Sequence, residues 1–565
     1  MSLVAAWIAI MSVLYPLAMF RGLEPYSGYW GNLYQAIHPG SFPNDPFMAP
    51  GRPTMQSLMY GLARIGGDAW LDDRVTFLVF MGLTAVALAG IDKTARLLGA
   101  RQPAERVALL ALMLVGHQIL NNHAFAVDCL DFNPTILAAP AIIWLLSASL
   151  AGSAPWRIVV LMVLVALISL KSAAMPILIA VILLCRDRLR PRGRWIAALA
   201  AVAAGLAGLA YYSMRLQPAD GSHAWVFDHI VGEDPSEVNP FRNPLSANAL
   251  FLGLCVIGLM LRGPQPAVMA RVRIVAALGV LVWLLGGVYI SLAPDALKIP
   301  YLAALQPPRM LWWTQYALYL AIGTALLSWL QRARSWAGAV AAWGALMALL
   351  LLHSTPQIKL ALVAIGASVV MAAWSCTTGT GATVPSPARR LGIVAAAMGV
   401  GVLSLYGVGT LRHRTGALRC LVRHGIMGDN SSAKWIGVNE YVRRATPPSA
   451  TILALALDRA GTRLIHDGSL RVRTGRSMLF GHVDGMYFDA RRMRWSDEQG
   501  ARINALLSAW DRQAPEEVSR DLSLCGRPDY VVAPTTRAAW LRGRPGFPYV
   551  LETMIGEFTI LRKAS

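Results

Sequence analysis

Five charged side chains have the type and placing to do chemistry. Glu24 and Asp45 follow the first apolar run with Arg52 close behind, Lys171 splits two short apolar runs, and Arg309 stands at the mouth of a later one. A carboxylate at a membrane surface can accept the proton of an attacking nucleophile. Arginine and lysine are natural donors to a departing phosphate. Each also has a plainer reading. Asp45 can cap the turn in "PNDP", Glu24 can pair with Arg21, Arg309 can anchor in an interface beside two tryptophans, and Lys171 can snorkel toward water. Two further groups carry potential ligands. His123, Asp128 and Asp131 lie in a short loop without a basic residue and could hold a divalent ion. His223, Asp228, His229, Glu233 and Asp234 would suit a hydrophilic loop surface or a metal. No CxxC or His/Cys zinc spacing occurs, so that divalent ion is the one cofactor the residues allow for.

The elements that must position these groups are apolar. The 565-residue chain is 56% hydrophobic with mean hydropathy +0.48 and only 15% charged residues, which excludes an ordinary soluble enzyme. Apolar runs begin near residues 3, 75, 107, 135, 195, 246, 274, 310, 337, 359 and 391. With the two runs flanking Lys171 they make about thirteen membrane segments. The pair at Lys171 is too short for each half to cross a core roughly 30 Å thick, and predicts two half-length helices with Lys171 at the tip. The first run, residues 3 to 20, lacks a basic leader and a small-x-small cleavage site, and reads as a retained span.

The net charge of +20 is largely a topology signal. With the N-terminus in the cytoplasm, alternate loops collect 17 Lys/Arg against 3 acids, the opposite loops 10 against 13, and the region after residue 411 holds 24 against 15. The positive-inside rule then makes runs such as "CRDRLRPRGR" cytoplasmic anchors and not nucleic-acid contacts. The parity leaves the C-terminal region outside the cytoplasm, in the periplasm of a bacterial inner-membrane protein.

The first external loop, residues 21–74, mixes prolines with interfacial aromatics. "PTMQSLMYGLARIGG" has helical apolar spacing and a Gly-Gly stop, so "SFPNDPF" reads as a hinge between interfacial helices. In the C-terminal region, "SSAKWIGVNEYVRRATP" predicts a helix, "TILALAL" a buried strand, "SDEQGARINALLSAWDRQ" a helix opened by a Ser496/Gln499 capping box, and "DYVVAP" and "YVLETMIGEFTILRK" further strands. The expected fold class is therefore a polytopic α-helical membrane protein, residues 1–411, with a small extracytoplasmic α/β domain, residues 412–565. Cys420 and Cys525 both fall in that domain, where an oxidising compartment allows pairing.

"HPGSFPNDPF" in the first external loop, the "SLKSAAMP" break, "LQPPR" before a late span and "KWIGVNEYVRRATPPSATIL" after the last one occur in an order that resembles the GT-C superfamily of integral-membrane glycosyltransferases, in its bacterial, polyprenyl-phosphate-sugar-dependent type. The resemblance implies an inverting transferase that moves a sugar from a lipid-linked donor to a glycan, lipid or protein acceptor on the periplasmic face. It implies a carboxylate base in the first external loop, Glu24 by position or Asp45 by its stretch, with Lys171, Arg309 and Arg52 on the phosphate. Many members carry an acidic pair after the first span, whereas this chain has Glu24 alone. Alternative readings are an envelope polysaccharide polymerase or ligase, a flippase of lipid-linked saccharides, and a catalytically inactive GT-C-like subunit. A single break and no internal repeat weigh against the transporter.

Overall fold

The computed structural model describes residues 2–19, 34–45, 57–115, 134–188, 223–233, 235–263, 265–332, 398, 415–424, 430–455, 470, 474–479, 490–539 and 547–564. The apolar runs within them are helices: α1 Leu3–Met19, α2 Ser57–Gly66, α3 Asp73–Leu98, α4 Pro103–Val115, α5 Pro134–Ala151, α6 Pro155–Ile168, α7 Leu170–Arg188, α8 His223–Glu233, α9 Leu245–Met260, α10 Pro266–Leu292 and α11 Trp312–Arg332. Among the described residues, α3 and α10 are each long and apolar enough to cross a membrane, and α1, α5, α6 and α9 contain shorter apolar stretches. The runs expected near 195, 337, 359 and 391 lie outside the described residues.

Helix boundaries follow local chemistry. Asp72 caps α3 by accepting from the Arg74 backbone N–H, and Gly99 ends it in the left-handed region at φ 115°. Pro103 opens α4, and Glu105 reaches back to accept from the backbone N–H groups of Arg101 and Gln102 at 2.6 and 2.8 Å. Helix α11 is buried from Trp312 to Thr324, as an apolar helix in the centre of a bundle should be. Its neighbours are α3, α4, α9 and α10. The outer face of α6 is the reverse case, with Trp156, Val159, Val160, Val163 and Leu167 exposed. A contiguous apolar surface of this kind marks a membrane or partner contact.

At the Arg-rich ends of these helices the charges satisfy one another. Asp92, buried on α3, receives Arg106 Nε and a second guanidinium nitrogen at 2.5 and 2.6 Å, and Arg96 at 3.1 Å. The Gln331 side-chain amide donates to Glu105, joining α11 to α4. Arg271 of α10 binds Asp187 of α7 at 2.8 Å and the Leu150 carbonyl at 2.9 Å.

The C-terminal region is a three-layer α/β unit. Its elements are α12 Thr415–His424, α13 Asn430–Ala445, β1 Thr451–Ala454, β2 Ser477–Met478, α14 Ala490–Asp511, α15 Pro515–Leu524, β3 Tyr530–Pro534, β4 Tyr549–Ile555 and β5 Phe558–Lys563. The sheet order is β2-β1-β3-β5-β4, parallel from β2 to β3 and antiparallel from β3 to β4. Strand alternation sends Leu453, Val531 and Leu561 to the face covered by α14 and α15, and Ile452, Val532 and Ile560 to the face covered by α13. Gly556, at φ 58°, makes the two-residue turn between β4 and β5.

Two expectations change here. Helix α14 starts at Ala490, so Ser496 lies inside it and does not open it; the preceding segment simply continues the helical run. Cys420 and Cys525, whose pairing an oxidising compartment would allow, are both buried and are not bridged to each other. Cys525 sits in the core under α14 and α15, where burial pushes its thiol up to about 12.

Candidate active site

The break at Lys171 is built by Ser169. Its backbone is extended, at φ −155° and ψ 95°, and separates α6 from α7. Its side chain then caps α7: Ser169 Oγ donates to Ser172 Oγ at 2.9 Å and accepts from the Ser172 backbone N–H at 3.3 Å. Lys171 lies in the first turn that follows. The two helices pack against each other as a hairpin, as the sequence predicts, but only α6, with 14 residues, is short; α7 runs on to 19, because the helix continues through Cys185 into the Arg-rich end.

The described parts of the segment between α1 and α3, residues 34–45 and 57–71, cover this hairpin tip. Helix α2 ends at Gly66 and passes through a short 3-10 turn, Gly67–Leu71, at the Gly-Gly signal. It packs on α6, and Ala36, Ala63, Tyr34 and Trp70 form a small apolar cluster with Leu137 and Ile168. His38 and Asp68 pair at 2.7 Å across the loop. From the other side comes "LQPPR". Gln306 holds φ 52° ahead of Pro307, an uncommon conformation for a residue with a Cβ, and the Pro307–Met310 turn packs against α7 and α10. Arg309 stacks over the Trp312 ring at 5.7 Å from its centroid, a cation–π arrangement. The structure thus brings the segments bearing Lys171 and Arg309 together.

Asp45 lies at a seam. It is 2% exposed, and its Oδ2 accepts from the backbone N–H of Met478 on β2 at 3.0 Å. Beside it the Asn44 N–H donates to Ser477 Oγ at 3.2 Å, and Asn44 Nδ2 to the Ser449 carbonyl at 2.8 Å. The Tyr34 hydroxyl lies over Gly475, whose φ of 67° and lack of a Cβ allow the approach. Burial, reinforced by Asp68, raises the Tyr34 hydroxyl above the ordinary tyrosine value. The turn in "SFPNDPF" therefore fastens the first external loop to the α/β unit.

Beneath the seam, Arg476 is buried and coordinated by neutral oxygens. It donates to Thr446 Oγ1 at 3.1 Å and to the carbonyls of Thr474, Arg443 and Thr446 at 3.0, 2.8 and 2.7 Å. Those of Arg443 and Thr446 are at the C-terminal end of α13, where carbonyls lack helical partners and attract a cation. Sequence reading did not single out Arg476, Tyr34 or Asn44: the partners of Tyr34 and Asn44 are hundreds of positions away, and Arg476 is held by backbone carbonyls and threonine hydroxyls that carry no sequence signature.

Among the second group of acids, Asp228 on α8 binds Lys298 Nζ at 2.8 Å, and His229 stacks on Trp225. Among the described residues no three His, Cys, Asp or Glu side chains converge as metal ligands. Glu24, Arg52, His123, Asp128, Asp131 and the Lys171 side chain lie outside the described residues.

The chain is similar over its whole length to the crystal structure of ArnT from Cupriavidus metallidurans bound to undecaprenyl phosphate, with 14% identity over 99% of this chain and 97% of that one and a TM-score of 0.46. It is similar to the apo state of the same protein with 15% identity, 98% and 97% coverage and a TM-score of 0.43. No protein-family model matches the chain, and no curated protein does.

Proposed function

We propose that this protein is a polytopic membrane glycosyltransferase that moves a sugar from a polyprenyl-phosphate donor to an acceptor at the periplasmic face. The observation that carries the reading is the meeting of three distant segments: the first external loop, the Ser169 break and the Pro307–Met310 turn pack around one hairpin tip. The ion pairs of Asp92 and Asp187 and the Gln331–Glu105 hydrogen bond hold the Arg-rich helix ends. Residues 1–411 form the membrane domain in this reading, and residues 412–565 a periplasmic domain docked on the first external loop.

In the proposed reaction an acceptor hydroxyl or amine attacks the anomeric carbon, the bond from that carbon to the phosphate oxygen breaks, and the lipid phosphate leaves as an anion with inversion. Glu24 takes the acceptor proton as general base. Lys171, Arg309 and Arg52 hold the phosphate charge as it develops, which is where fixed donors lower a barrier most. His123, Asp128 and Asp131 bind the acceptor in this proposal, and their chemistry would suit a divalent ion. Asp45, engaged by a backbone amide and shielded from water, suits positioning better than proton transfer.

Glu24→Gln tests the reading. Loss of a general base costs roughly 10²- to 10⁴-fold, so mass spectrometry of cell-envelope glycans from cells expressing the variant at normal levels should show the product collapse. Unchanged glycans would remove Glu24 as base.

A further inference from the structure

Among the described residues, strand β2 is an edge strand, bonded to β1 alone within the sheet. The Leu479 N–H donates inward to the Ile452 carbonyl at 3.1 Å. Since successive N–H groups along a strand alternate in direction, the Met478 N–H faces outward, where an exposed edge would leave it open to water or another chain. Asp45 closes that position with a buried carboxylate. Asn44 adds a main-chain and a side-chain hydrogen bond on either side of it, and Phe42, 0% exposed at φ 60°, turns the loop into the seam. The loop takes the place of a sixth strand, using side chains where a strand would use its backbone.

We infer that Asp45 is a positioning residue, an acidic latch that registers the first external loop against the edge of the C-terminal sheet, so that the α/β domain sets where the loop stands over the hairpin tip. The inference rests on the proposed function only for its effect on product; the latch itself is a contact that can be measured without activity. A latch needs an acceptor oxygen, which asparagine retains. A base needs a carboxylate, which asparagine lacks.

The experiment compares Asp45→Asn and Asp45→Ala in the purified full-length protein by hydrogen–deuterium exchange of peptides covering 477–479, alongside glycan mass spectrometry of cells. Losing a hydrogen bond to a charged group should speed exchange there by about tenfold or more in Asp45→Ala, with product falling in parallel, while Asp45→Asn stays near wild type in both. Ser477→Ala, which removes only the acceptor of the Asn44 N–H, should give a smaller rise in the same peptides, and it serves if Asp45→Ala does not accumulate. Unchanged exchange in Asp45→Ala, or in Ser477→Ala where that variant stands in, overturns the latch. Loss of product in Asp45→Asn with exchange still protected overturns the positioning role and makes Asp45 the proton acceptor. If glycans change in none of the variants, including Glu24→Gln, the exchange data still decide the latch and the fault lies with the proposed function.

Discussion

The two ends of the helical bundle use charge differently. At the Arg-rich end, carboxylates and guanidiniums on neighbouring helices neutralise one another: Asp92 with Arg96 and Arg106, Asp187 with Arg271. At the opposite end, charged and polar groups reach between separate units. His38 meets Asp68 within the first loop, Asp45 and Asn44 bond to the α/β sheet, and Lys298 joins α8 to the end of α10. One end is stapled to itself; the other is assembled from parts that must be held in register around a hairpin tip. The proposed function would need this asymmetry, because a site for a charged ligand requires donors kept in place by something other than the ligand.

The sharpest way to break the comparison is at the stapled end. Asp92 is 4% exposed and receives two arginines, so Asp92→Ala leaves the half-buried Arg106 guanidinium without its counter-ion. The expected loss is about 1.5–3 kcal/mol of stability, the range for hydrogen bonds to charged groups, read as a lower melting temperature in detergent, with product per folded molecule unchanged. If instead activity falls while melting holds, the two ends are not divided as described.

Arg309→Ala is the mirror experiment. In the proposed function Arg309 is a fixed donor to a developing anion, and removing one costs about 10²- to 10³-fold in rate, with a melting temperature near wild type. A variant that melts early and retains its rate per folded molecule would reassign Arg309 to the packing of the Pro307–Met310 turn.

Within the α/β unit, Arg476→Lys probes the support behind the seam. Lysine keeps the charge but cannot span the Thr446, Thr474 and Arg443 oxygens with one planar fork. Its expected cost is about 1–3 kcal/mol, seen as faster exchange in both the 477–479 and 435–446 peptides. Protection that survives in both would show that the α13 end does not depend on the guanidinium.

What the sequence made legible is what short-range periodicity encodes. The apolar runs that fall in described residues, the Gly66-Gly67 stop, the break between α6 and α7 and the strands at Thr451–Ala454 and Tyr530–Pro534 depend on neighbours within a turn or a pleat, and the structure has them where the pattern puts them. Strand β2 has two residues, too few to carry an alternation, and so the seam had no signal. Asp45 shows the limit most clearly. A turn-forming motif marks that the chain bends there, but the partner that decides its role, the Met478 N–H, is 433 residues away. The meeting of the Lys171 and Arg309 segments is long-range in the same way, and an order of motifs indicated it only through resemblance.

The smallest effect belongs to Lys298, which bonds Asp228 on α8 at 2.8 Å and Asp295 at 2.9 Å. Hydrogen bonds to Asp228 first and Asp295 second raise the lysine above its ordinary 10.5, and the bond from Lys298 lowers Asp295 below its ordinary 3.8. The raised lysine contributes stability that is complete below 10.5 and is lost as pH climbs through its folded value. The lowered aspartate contributes stability that is complete above 3.8 and is lost as pH falls through its folded value. Both pairs are therefore at full strength across the neutral range; the α8 tether weakens as the lysine loses its proton at high pH, and the Lys298–Asp295 pair also as that aspartate gains one at low pH. Exposed pairs of this kind are weak and screened by salt, so Lys298→Ala should raise exchange in the 223–233 peptide by only about two- to threefold at pH 7, and 1 M salt should do the same to the wild type. A wild type whose α8 stays protected in high salt, with a variant that also stays protected, would assign the docking of α8 to the buried Phe227 and Val238 contacts with Ile290 and leave the outer face held by packing where the comparison has it held by charge.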